Sequence, residues 1–434
     1  MVRPLQSFID EEASSGIALL FAALVALVWA NSPWRASYEN LWTTSLSLSI
    51  GGWSITEDLR HWVNDGLMAL FFLVVGLEIK RELLTGELRD PRAAVVPIVA
   101  AVGGMAVPAL VYVAVNAGTG NVAGWGIPIA TDIAFAVGVL TIAARHAPAG
   151  LKPFLLTLAI VDDIGAIVVI AIFYSHQIAW QALGVAAGLC VAIVVLQRIQ
   201  VRAAFVYVGL GIVLWIAFFE SGVHPAVAGV LLGLLTPAVP FQRPRAVSEE
   251  AHRVADLTVD DPEPPDVDAH QWLWLTSLSR EAVSPLARVE HLLHPWTSLL
   301  VIPLFALANA GIRVSADAVV QSLTGRVGLG IILGLVVGKL VGVVGAGLGA
   351  VRFGFGRLPS GMQAGNLVGI GSVAGIGFTV AIFIAELAFV EPAVVEQAKL
   401  AVVIASMMAG ILSWGLLRLL AKGSTRDEAS SMEA

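Results

Sequence analysis

Two adjacent carboxylates interrupt an otherwise apolar run of the chain, Leu158-Ala-Ile-Val-Asp162-Asp163-Ile-Gly-Ala-Ile-Val168. The run lies in an apolar segment at 153–174, long enough to cross a bilayer as a helix, which takes about 20 residues. A charged side chain at the bilayer centre costs about 2.5–3.5 kcal/mol on insertion scales. Two such residues side by side therefore indicate a functional site inside a membrane.

The composition of the whole chain agrees with a membrane location. Hydrophobic residues make up 57% of the 434 and charged residues only 13%, with a mean hydropathy of +0.85. A soluble protein carries about 25% charged residues, so most of this surface faces lipid. The net charge of -7 gives no support to nucleic-acid binding, and the single cysteine, Cys190, excludes an intramolecular disulfide.

Apolar windows of spanning length predict twelve transmembrane helices. They lie near 16–31, 59–78, 94–116, 124–144, 153–174, 178–197, 203–219, 223–239, 295–311, 327–350, 361–386 and 397–420. The predicted fold is an all-α polytopic membrane protein. Its first membrane part covers 1–240 with helices 1–8, its second covers 291–422 with helices 9–12, and a tail occupies 423–434.

The basic residues concentrate on one side of this topology. Of the 25 Lys and Arg residues, nineteen fall at the N-terminus, in the even-numbered loops and in the tail, and five fall on the opposite side. Cytoplasmic loops carry the excess of Lys and Arg, so both termini are expected in the cytoplasm. The remaining cation, Lys339, lies inside a predicted span.

A cytoplasmic loop at 241–290 is predicted between the two membrane parts. Residues 260–265 read Asp-Asp-Pro-Glu-Pro-Pro, and such Pro-rich, charged sequence is typical of a mobile, partly disordered linker. A short helix is expected near Trp272 to Ser279. An inert insertion and a regulatory loop both remain open as interpretations.

A β-hairpin is predicted at about 45–56, on the external side. Apolar and polar residues alternate on both sides of Gly51-Gly52, and glycine accepts the positive φ that a two-residue turn requires. A lone hairpin is marginal in water, so this one is expected to pack on something. A second subunit and the outer face of its own chain are the two alternatives.

The two aspartates are predicted to serve different partners. Adjacent helical residues differ by about 100° in direction, so one carboxylate can face a cavity while the other faces a neighbouring helix. Two close carboxylates in a low dielectric resist simultaneous ionisation. A site that is protonated when empty and deprotonated when a cation is bound is an exchanger; a hydrogen-bonded structural pair is the alternative.

A helix break is predicted at Pro128, in Gly126-Ile-Pro-Ile-Ala-Thr131-Asp132, because proline lacks the backbone donor. Asp132 would compensate the positive helix ends, and Thr131 could offer oxygen to a hard cation.

A second break is predicted in the glycine-rich stretch 369–379, around Gly375 and Gly377. Aligning Gly126 with Gly375 gives four identities in eleven residues and suggests an inverted repeat with both breaks at mid-membrane. Ordinary packing glycines are the alternative.

Further charges lie within the spans or at their ends. Buried Lys339 needs a counter-charge, for which Asp162 and Asp163 are the candidates, unless it snorkels to an interface. The other candidates are Glu78, Arg81, Glu82, Glu290 and His291 for a cytoplasmic, pH-sensing funnel, and Asp65 for an outer funnel. Plain interfacial charges or helix caps are the alternative for this group.

These segments together resemble the bacterial NhaA family of sodium/proton antiporters, itself an example of inverted repeats with discontinuous helices. The resemblance covers nearly the whole chain. Its motifs are residues 64–82, Ala130-Thr-Asp-Ile-Ala-Phe-Ala136, Val161-Asp-Asp-Ile-Gly-Ala166, Ser221-Gly-Val-His224, Glu290-His291 and Gly375-Ile-Gly-Phe-Thr379. The chain departs from the family pattern at Leu340, where members often have proline, and in the length of the 241–285 segment.

The resemblance implies a twelve-helix fold whose fourth and eleventh helices are broken and cross at the midplane. It implies that Asp163 is the main carboxylate for ions and protons, aided by Asp162 and Thr131 as transient Na⁺ ligands. Asp132 would balance the broken helix ends, and Lys339 would pair with Asp162. It also implies a homodimer formed through the external hairpin, in the bacterial inner membrane, with no cofactor.

The predicted function is therefore electrogenic, pH-regulated exchange of cytoplasmic Na⁺ or Li⁺ for protons, not an enzymatic reaction. A sodium/solute symporter is one alternative, although it would want a larger polar cavity. An intramembrane aspartyl protease is another, although such enzymes hold their two aspartates on separate helices.

Overall fold

Helices form nearly all of the chain in a computed structural model that describes residues 2–432 apart from 52, 144–147, 149, 176, 243, 260–265 and 360. The helices are α1 (Val2–Ala30), α2 (Arg35–Trp42), α3 (Leu59–Leu84), α4 (Pro91–Asn116), α5 (Val122–Ile129), α6 (Ile133–Ala143), α7 (Leu151–Phe173), α8 (Trp180–Arg198), α9 (Ala204–Ser221), α10 (Ala226–Leu235), α11 (Pro244–Val259), α12 (Asp266–Glu281), α13 (Pro285–Asn309), α14 (Ala316–Thr324), α15 (Arg326–Arg352), α16 (Ala364–Ala374), α17 (Phe378–Ala388) and α18 (Pro392–Met432). Of these, α5 is a 3₁₀ helix, and α3, α13 and α15 contain π-helical turns at Trp62–Leu67, Thr297–Val301 and Leu333–Gly338.

The predicted hairpin is confirmed and extends two residues further than expected. Strands β1 (Ser45–Ile50) and β2 (Trp53–Asp58) pair antiparallel, with the register running from Ser45 opposite Asp58 to Ile50 opposite Trp53. Gly51 has a φ of 63°, which glycine adopts without strain. The hairpin is attached to α3, because the indole of Trp62 donates a 3.0 Å hydrogen bond to the Leu46 carbonyl.

Eight helices in the described part of the chain are long and apolar enough to cross a membrane: α3, α4, α7, α8, α9, α13, α15 and α18. The count reaches 11 if each of three bent helix pairs is one span. These pairs are α1 with α2, bent by 116°, α5 with α6, bent by 43°, and α16 with α17, bent by 50°. The chain is therefore a polytopic membrane protein.

The predicted eighth span, 223–239, contains a shorter helix than expected. Helix α10 has only 10 residues, about 15 Å of helix. It packs backbone to backbone against α3, since a Cβ added at Gly229 would lie 2.1 Å from the Ala69 carbonyl oxygen. Glycine permits this approach, as is usual between helices in membranes.

Helix α15 approaches α4 in the same way. A Cβ added at Gly342 would lie 2.2 Å from the Gly103 carbonyl oxygen. One turn earlier on α15, the π-helical turn Leu333–Gly338 ends directly before Lys339. This close packing carries the lysine into the interior, where it is 0% exposed.

Both predicted helix breaks are present, and they lie against each other. The α5/α6 break covers residues 130–132 and the α16/α17 break covers 375–377. The backbone N–H of Asp132 donates a 2.7 Å hydrogen bond to the carbonyl of Ile376. Pro128 packs near α15, where it would lie 2.7 Å from a Cβ added at Gly334.

The segment between the two membrane parts contains two helices, α11 and α12, and the expected short helix near Trp272 to Ser279 is part of the longer α12. The end of α12 is attached to the membrane part, because Arg202 pairs with Glu281 at 2.7 Å. The predicted linker sequence at 260–265 lies outside the described residues. Its mobility stays a prediction.

Candidate ion-binding site

Helix α7 brings Asp162 and Asp163 into the interior at its middle. Apolar residues flank the pair for more than a turn on both sides. These neighbours on α7 therefore offer the two carboxylates no polar side chain to bind. Asp162 is 0% exposed and Asp163 is 5% exposed. The two carboxylates meet different surroundings, as adjacent helical positions require.

Asp162 is held by an ion pair and a hydroxyl. The Lys339 ammonium donates a 2.7 Å hydrogen bond to its Oδ2, and the Thr131 hydroxyl lies 2.7 Å from the same atom. The other oxygen, Oδ1, is buried with no hydrogen-bond partner among the described residues. A buried pair of this kind is costly to break, since removing one partner leaves an uncompensated charge.

Lys339 and Thr131 also serve the carbonyl ends of the two broken helices. Lys339 donates to the carbonyl of Ile129, the last residue of α5. The Thr131 hydroxyl lies 3.0 Å from the carbonyl of Ala374, the last residue of α16. The negative ends of both half-helices thus meet the donors beside Asp162.

Asp132 serves the amino ends of the other two half-helices. Its Oδ1 accepts from the Phe135 N–H at 3.1 Å, in the first turn of α6. Its Oδ2 accepts from the N–H of Thr379 at 3.1 Å and from the Thr379 hydroxyl at 2.6 Å, in the first turn of α17. One buried carboxylate therefore balances the positive ends of two helices.

Asp163 borders a cavity that extends towards the C-terminal end of α3, near Arg81 and Glu82. The space occupies about 890 Å³ including its mouth. Its lining includes Asp163, Thr131, Asp132, Thr379, Glu78, Arg81, Glu82 and His294. None of the described residues donates a hydrogen bond to the Asp163 carboxylate. That carboxylate is therefore available to an ion or a proton from the cavity.

The mouth of the cavity carries an ion-pair network. Arg81 pairs with Glu290 and lies 3.8 Å from Glu82. Glu290 is 7% exposed, whereas the neighbouring His291 is exposed on the outside of α13. His294, one turn further, lines the cavity in its place. The structure therefore brings Arg81, Glu82 and Glu290 together but leaves His291 apart.

Asp65 lies at the opposite end of α3 from this mouth. Its carboxylate is 3.3 Å from Nε2 of His224, which is buried at the turn before α10. The indole of Trp215 donates to the Asp65 carbonyl at 2.9 Å. Asp65 is thus separate from the residues around Asp163.

Sequence reasoning assigned no role to Thr379 or His294. Thr379 closes the motif Gly375-Ile-Gly-Phe-Thr379, and its signal was its place just after the second break, whereas Asp132 is the last residue of the first. His294 shares a helix face with Glu290, four residues away, whereas His291 does not. Helical spacing from Glu290 would have favoured His294.

Comparison with known proteins identifies the family of the chain. Residues 6–417 match the family described as Na⁺/H⁺ antiporter 1. The chain is 45% identical to a Na(+)/H(+) antiporter NhaA of Oleidesulfovibrio alaskensis, over 99% of this chain and 96% of that protein. It is 43% identical to Na(+)/H(+) antiporter NhaA 2 of Sorangium cellulosum, over 99% and 94% respectively. A similar NhaA of Anaeromyxobacter sp. is 44% identical over 100% of this chain. With a family match across nearly its whole length and relatives this similar, the chain belongs to the Na⁺/H⁺ antiporter 1 family.

Proposed function

We propose that this protein exchanges Na⁺ for protons, with Asp163 as the carboxylate that binds both in turn. One observation carries the proposal: a buried carboxylate that receives no hydrogen bond from the described part of the chain borders a cavity, beside a buried ion pair at two helix breaks. Oxygens of Asp163 and Thr131, with water, supply the hard ligands that an alkali ion prefers.

The competition works through charge. With no Na⁺ bound, a proton neutralises Asp163 and the Lys339 ammonium neutralises Asp162. A Na⁺ ion that enters the cavity replaces the proton on Asp163 and competes with Lys339 for Asp162. If Lys339 gives up its proton as well, more protons than sodium ions move in each cycle. Exchange is then electrogenic, and the membrane potential contributes about 2.3 kcal/mol per charge per 100 mV.

The proposed orientation places the cavity mouth and both termini in the cytoplasm. The excess of Lys and Arg in the even-numbered loops supports it, and Arg81 lies at the mouth. The protein would thus expel Na⁺ from the cytoplasm across the inner membrane. The chain would cross the membrane twelve times if α10 and its flanking residues form one crossing in addition to the eleven spans described above. A fusion of alkaline phosphatase to the C-terminus would be inactive in this orientation.

The proposed inverted repeat rests on the two breaks. Each has three residues between its half-helices, and the break with Asp132 and the break with Thr379 contribute to one hydrogen-bonded centre. Repeats of opposite topology place such breaks at mid-membrane.

The cavity mouth is the proposed place of pH regulation. Glu78, Arg81 and Glu82 line the route to Asp163, and Glu290 pairs with Arg81, so their charges set the local concentration of cations. His291 follows Glu290 in the sequence but is exposed on the outside of α13. We also propose a homodimer formed through the hairpin, supported by the exposed Leu46 and Leu48.

Asp163→Asn tests the assignment in everted membrane vesicles. Addition of Na⁺ to wild-type vesicles acidified by respiration should dequench a pH-sensitive dye, and the variant should give no response. Asp317→Asn, at an exposed acid on α14, is the matched control and should respond like the wild type. Dequenching by the Asp163 variant would refute the assignment.

An aspartyl protease is disfavoured, because Asp162 pairs with a lysine and not with a second catalytic acid.

A further inference from the structure

A second buried polar cluster lies away from the Asp163 cavity and has no part in the function proposed so far. It joins four helices: Asn64 of α3, Asn309 of α13, Glu386 of α17 and Lys399 of α18. Asn64, Asn309 and Lys399 are 8%, 2% and 7% exposed. Buried polar groups of this kind are costly in a membrane and usually functional.

The cluster is centred on the Glu386 carboxylate. Lys399 donates to its Oε1 and Asn64 donates to its Oε2. The amide of Asn309 donates a 2.7 Å hydrogen bond to Oδ1 of Asn64 and a 3.0 Å bond to the Phe305 carbonyl. One carboxylate, two amide side chains and one ammonium group therefore form a single hydrogen-bonded cluster.

Aromatic side chains separate this cluster from the cavity. Phe383 packs against Phe72, Phe305 and the His224 ring, with ring centroids 5.8, 6.0 and 5.0 Å apart. Phe72, Phe305 and Phe383 are 2%, 0% and 1% exposed. These three rings form a buried apolar layer, which we call the aromatic layer.

Two helices cross the aromatic layer with polar residues on both sides of it. On α17, Thr379 borders the cavity, Phe383 lies in the layer and Glu386 lies beyond it. Their i, i+4, i+7 spacing puts them on one helix face, with about 10 Å of helix between Thr379 and Glu386. On α3, Glu78, Phe72 and Asn64 follow the same order. Polar groups therefore lie on both sides of the layer along the same two helices.

We infer that Asn64, Asn309 and Glu386 form an outer cation site, through which Na⁺ leaves and protons enter on the side opposite the cavity. Carboxylate and amide oxygens are ligands suited to a hard monovalent cation. In the present conformation the Lys399 ammonium takes the place of that cation. The inference rests on the proposed exchange of Na⁺ for protons and adds a second binding site to the same route.

Asp65 does not take this role. It is next to Asn64 in sequence, but its carboxylate pairs with His224 rather than with Lys399. The Glu386 carboxylate is the acid that Lys399 contacts directly, so Lys399 competes with a cation at Glu386.

The test compares the two faces of the membrane. Right-side-out vesicles loaded at acidic pH take up ²²Na⁺ from the external face, and everted vesicles report Na⁺ affinity at the cytoplasmic face. The main variant is Glu386→Gln with Lys399→Gln, because it removes both charges and leaves no unpaired ion in the fold. Since a hydrogen bond to a charged group contributes about 1.5–3 kcal/mol, we expect the external KM for Na⁺ to rise about tenfold or more and the cytoplasmic KM to change less than about twofold.

Two further variants sharpen the comparison. Lys399→Gln alone removes the competitor and should lower the external KM, the opposite of the double variant. Glu391→Gln alters an exposed acid at the same end of the protein and should change neither KM. Equal changes at both faces, no change at either, or a raised external KM in the Lys399 variant would refute the outer site. Wild-type vesicles without Na⁺-driven proton movement would refute the proposed function itself.

Discussion

Removal of the Lys339 ammonium should destabilise the protein strongly, and removal of the Asp162 charge as well should restore most of that stability. Both side chains are 0% exposed and are joined at 2.7 Å. In Lys339→Met the Asp162 carboxylate stays buried with only the Thr131 hydroxyl as a donor, and Oδ1 has none among the described residues. Breaking a buried pair by removing one partner costs about 3–5 kcal/mol.

The double variant Asp162→Asn with Lys339→Met leaves no buried charge. Replacing a whole buried ion pair by neutral groups is often neutral for stability, so we expect most of the loss to be recovered. A coupling free energy of about 2–4 kcal/mol between the two positions follows from these magnitudes. Both variants should fail to transport, because the competition at Asp162 is lost.

The midpoint of thermal unfolding in detergent measures these losses of stability. Size-exclusion chromatography of a fluorescent fusion reports the fraction that remains folded at each temperature. The expected order of midpoints is wild type, then the double variant, then Lys339→Met. Arg313→Met, at an exposed cation, is the control and should unfold like the wild type. Additive losses in the double variant, or a Lys339 variant as stable as the wild type, would contradict the ion pair as the cause.

Three other predictions concern separate parts of the molecule. Thr379→Val removes the hydroxyl that donates to Asp132 at 2.6 Å and should cost about 1.5–3 kcal/mol of stability, measured by the same unfolding assay. Leu48→Cys in a Cys190→Ala background should form a disulfide-linked dimer on mild oxidation of membranes, seen on non-reducing gels, if the hairpin joins two subunits. Glu290→Gln removes one negative charge at the cavity mouth and leaves the Arg81 guanidinium without that partner. The more positive local potential opposes protonation of nearby carboxylates and repels Na⁺. The pH–activity profile of this variant in everted vesicles should shift towards acid and its KM for Na⁺ should rise.

Each of these has a matched control in the chain. Thr324→Val changes an exposed threonine that bonds only within its own helix, and its midpoint should equal that of the wild type. Val390→Cys, at a side chain 93% exposed, reports random collisions, so cross-linking as strong as that of the hairpin cysteine would contradict a hairpin contact. Glu391→Gln should leave the pH profile and the KM unchanged, and an equal shift there would show that the mouth has no special effect.

Local chemistry made the two helix breaks and the hairpin predictable. Pro128 removes a donor that a continuous helix needs, and Gly51 supplies the positive φ of a tight turn. Buried charge made the site residues predictable, because Asp162 and Lys339 are each intolerable in lipid without a partner. Local chemistry left open whether Asp162 or Asp163 pairs with that lysine, since the answer depends on which face of α7 meets α15, and only the family resemblance implied Asp162.

Features set by packing between distant helices were not predictable in this way. The length of α10 depends on its backbone contact with α3, which the apolar window of 223–239 does not record. Glu386 stands at the end of the predicted span 361–386, and the sequence analysis assigned it no role. Its place in a polar cluster depends on Lys399 of the next helix and on Asn64, which is distant in sequence and reaches it only in the folded bundle.

A buried lysine pairs with a carboxylate on each side of the aromatic layer. Lys339 neutralises Asp162 beside the cavity, and Lys399 neutralises Glu386 beyond the layer. An ammonium group neutralises the carboxylate that it binds, even when no transported ion is present. Neither site therefore exposes an unpaired charge to lipid when it is empty. Each site then accepts a cation only if its lysine moves or loses its proton. Exchange rather than simple conduction follows from that condition, because every ion that binds must displace a positive charge already present.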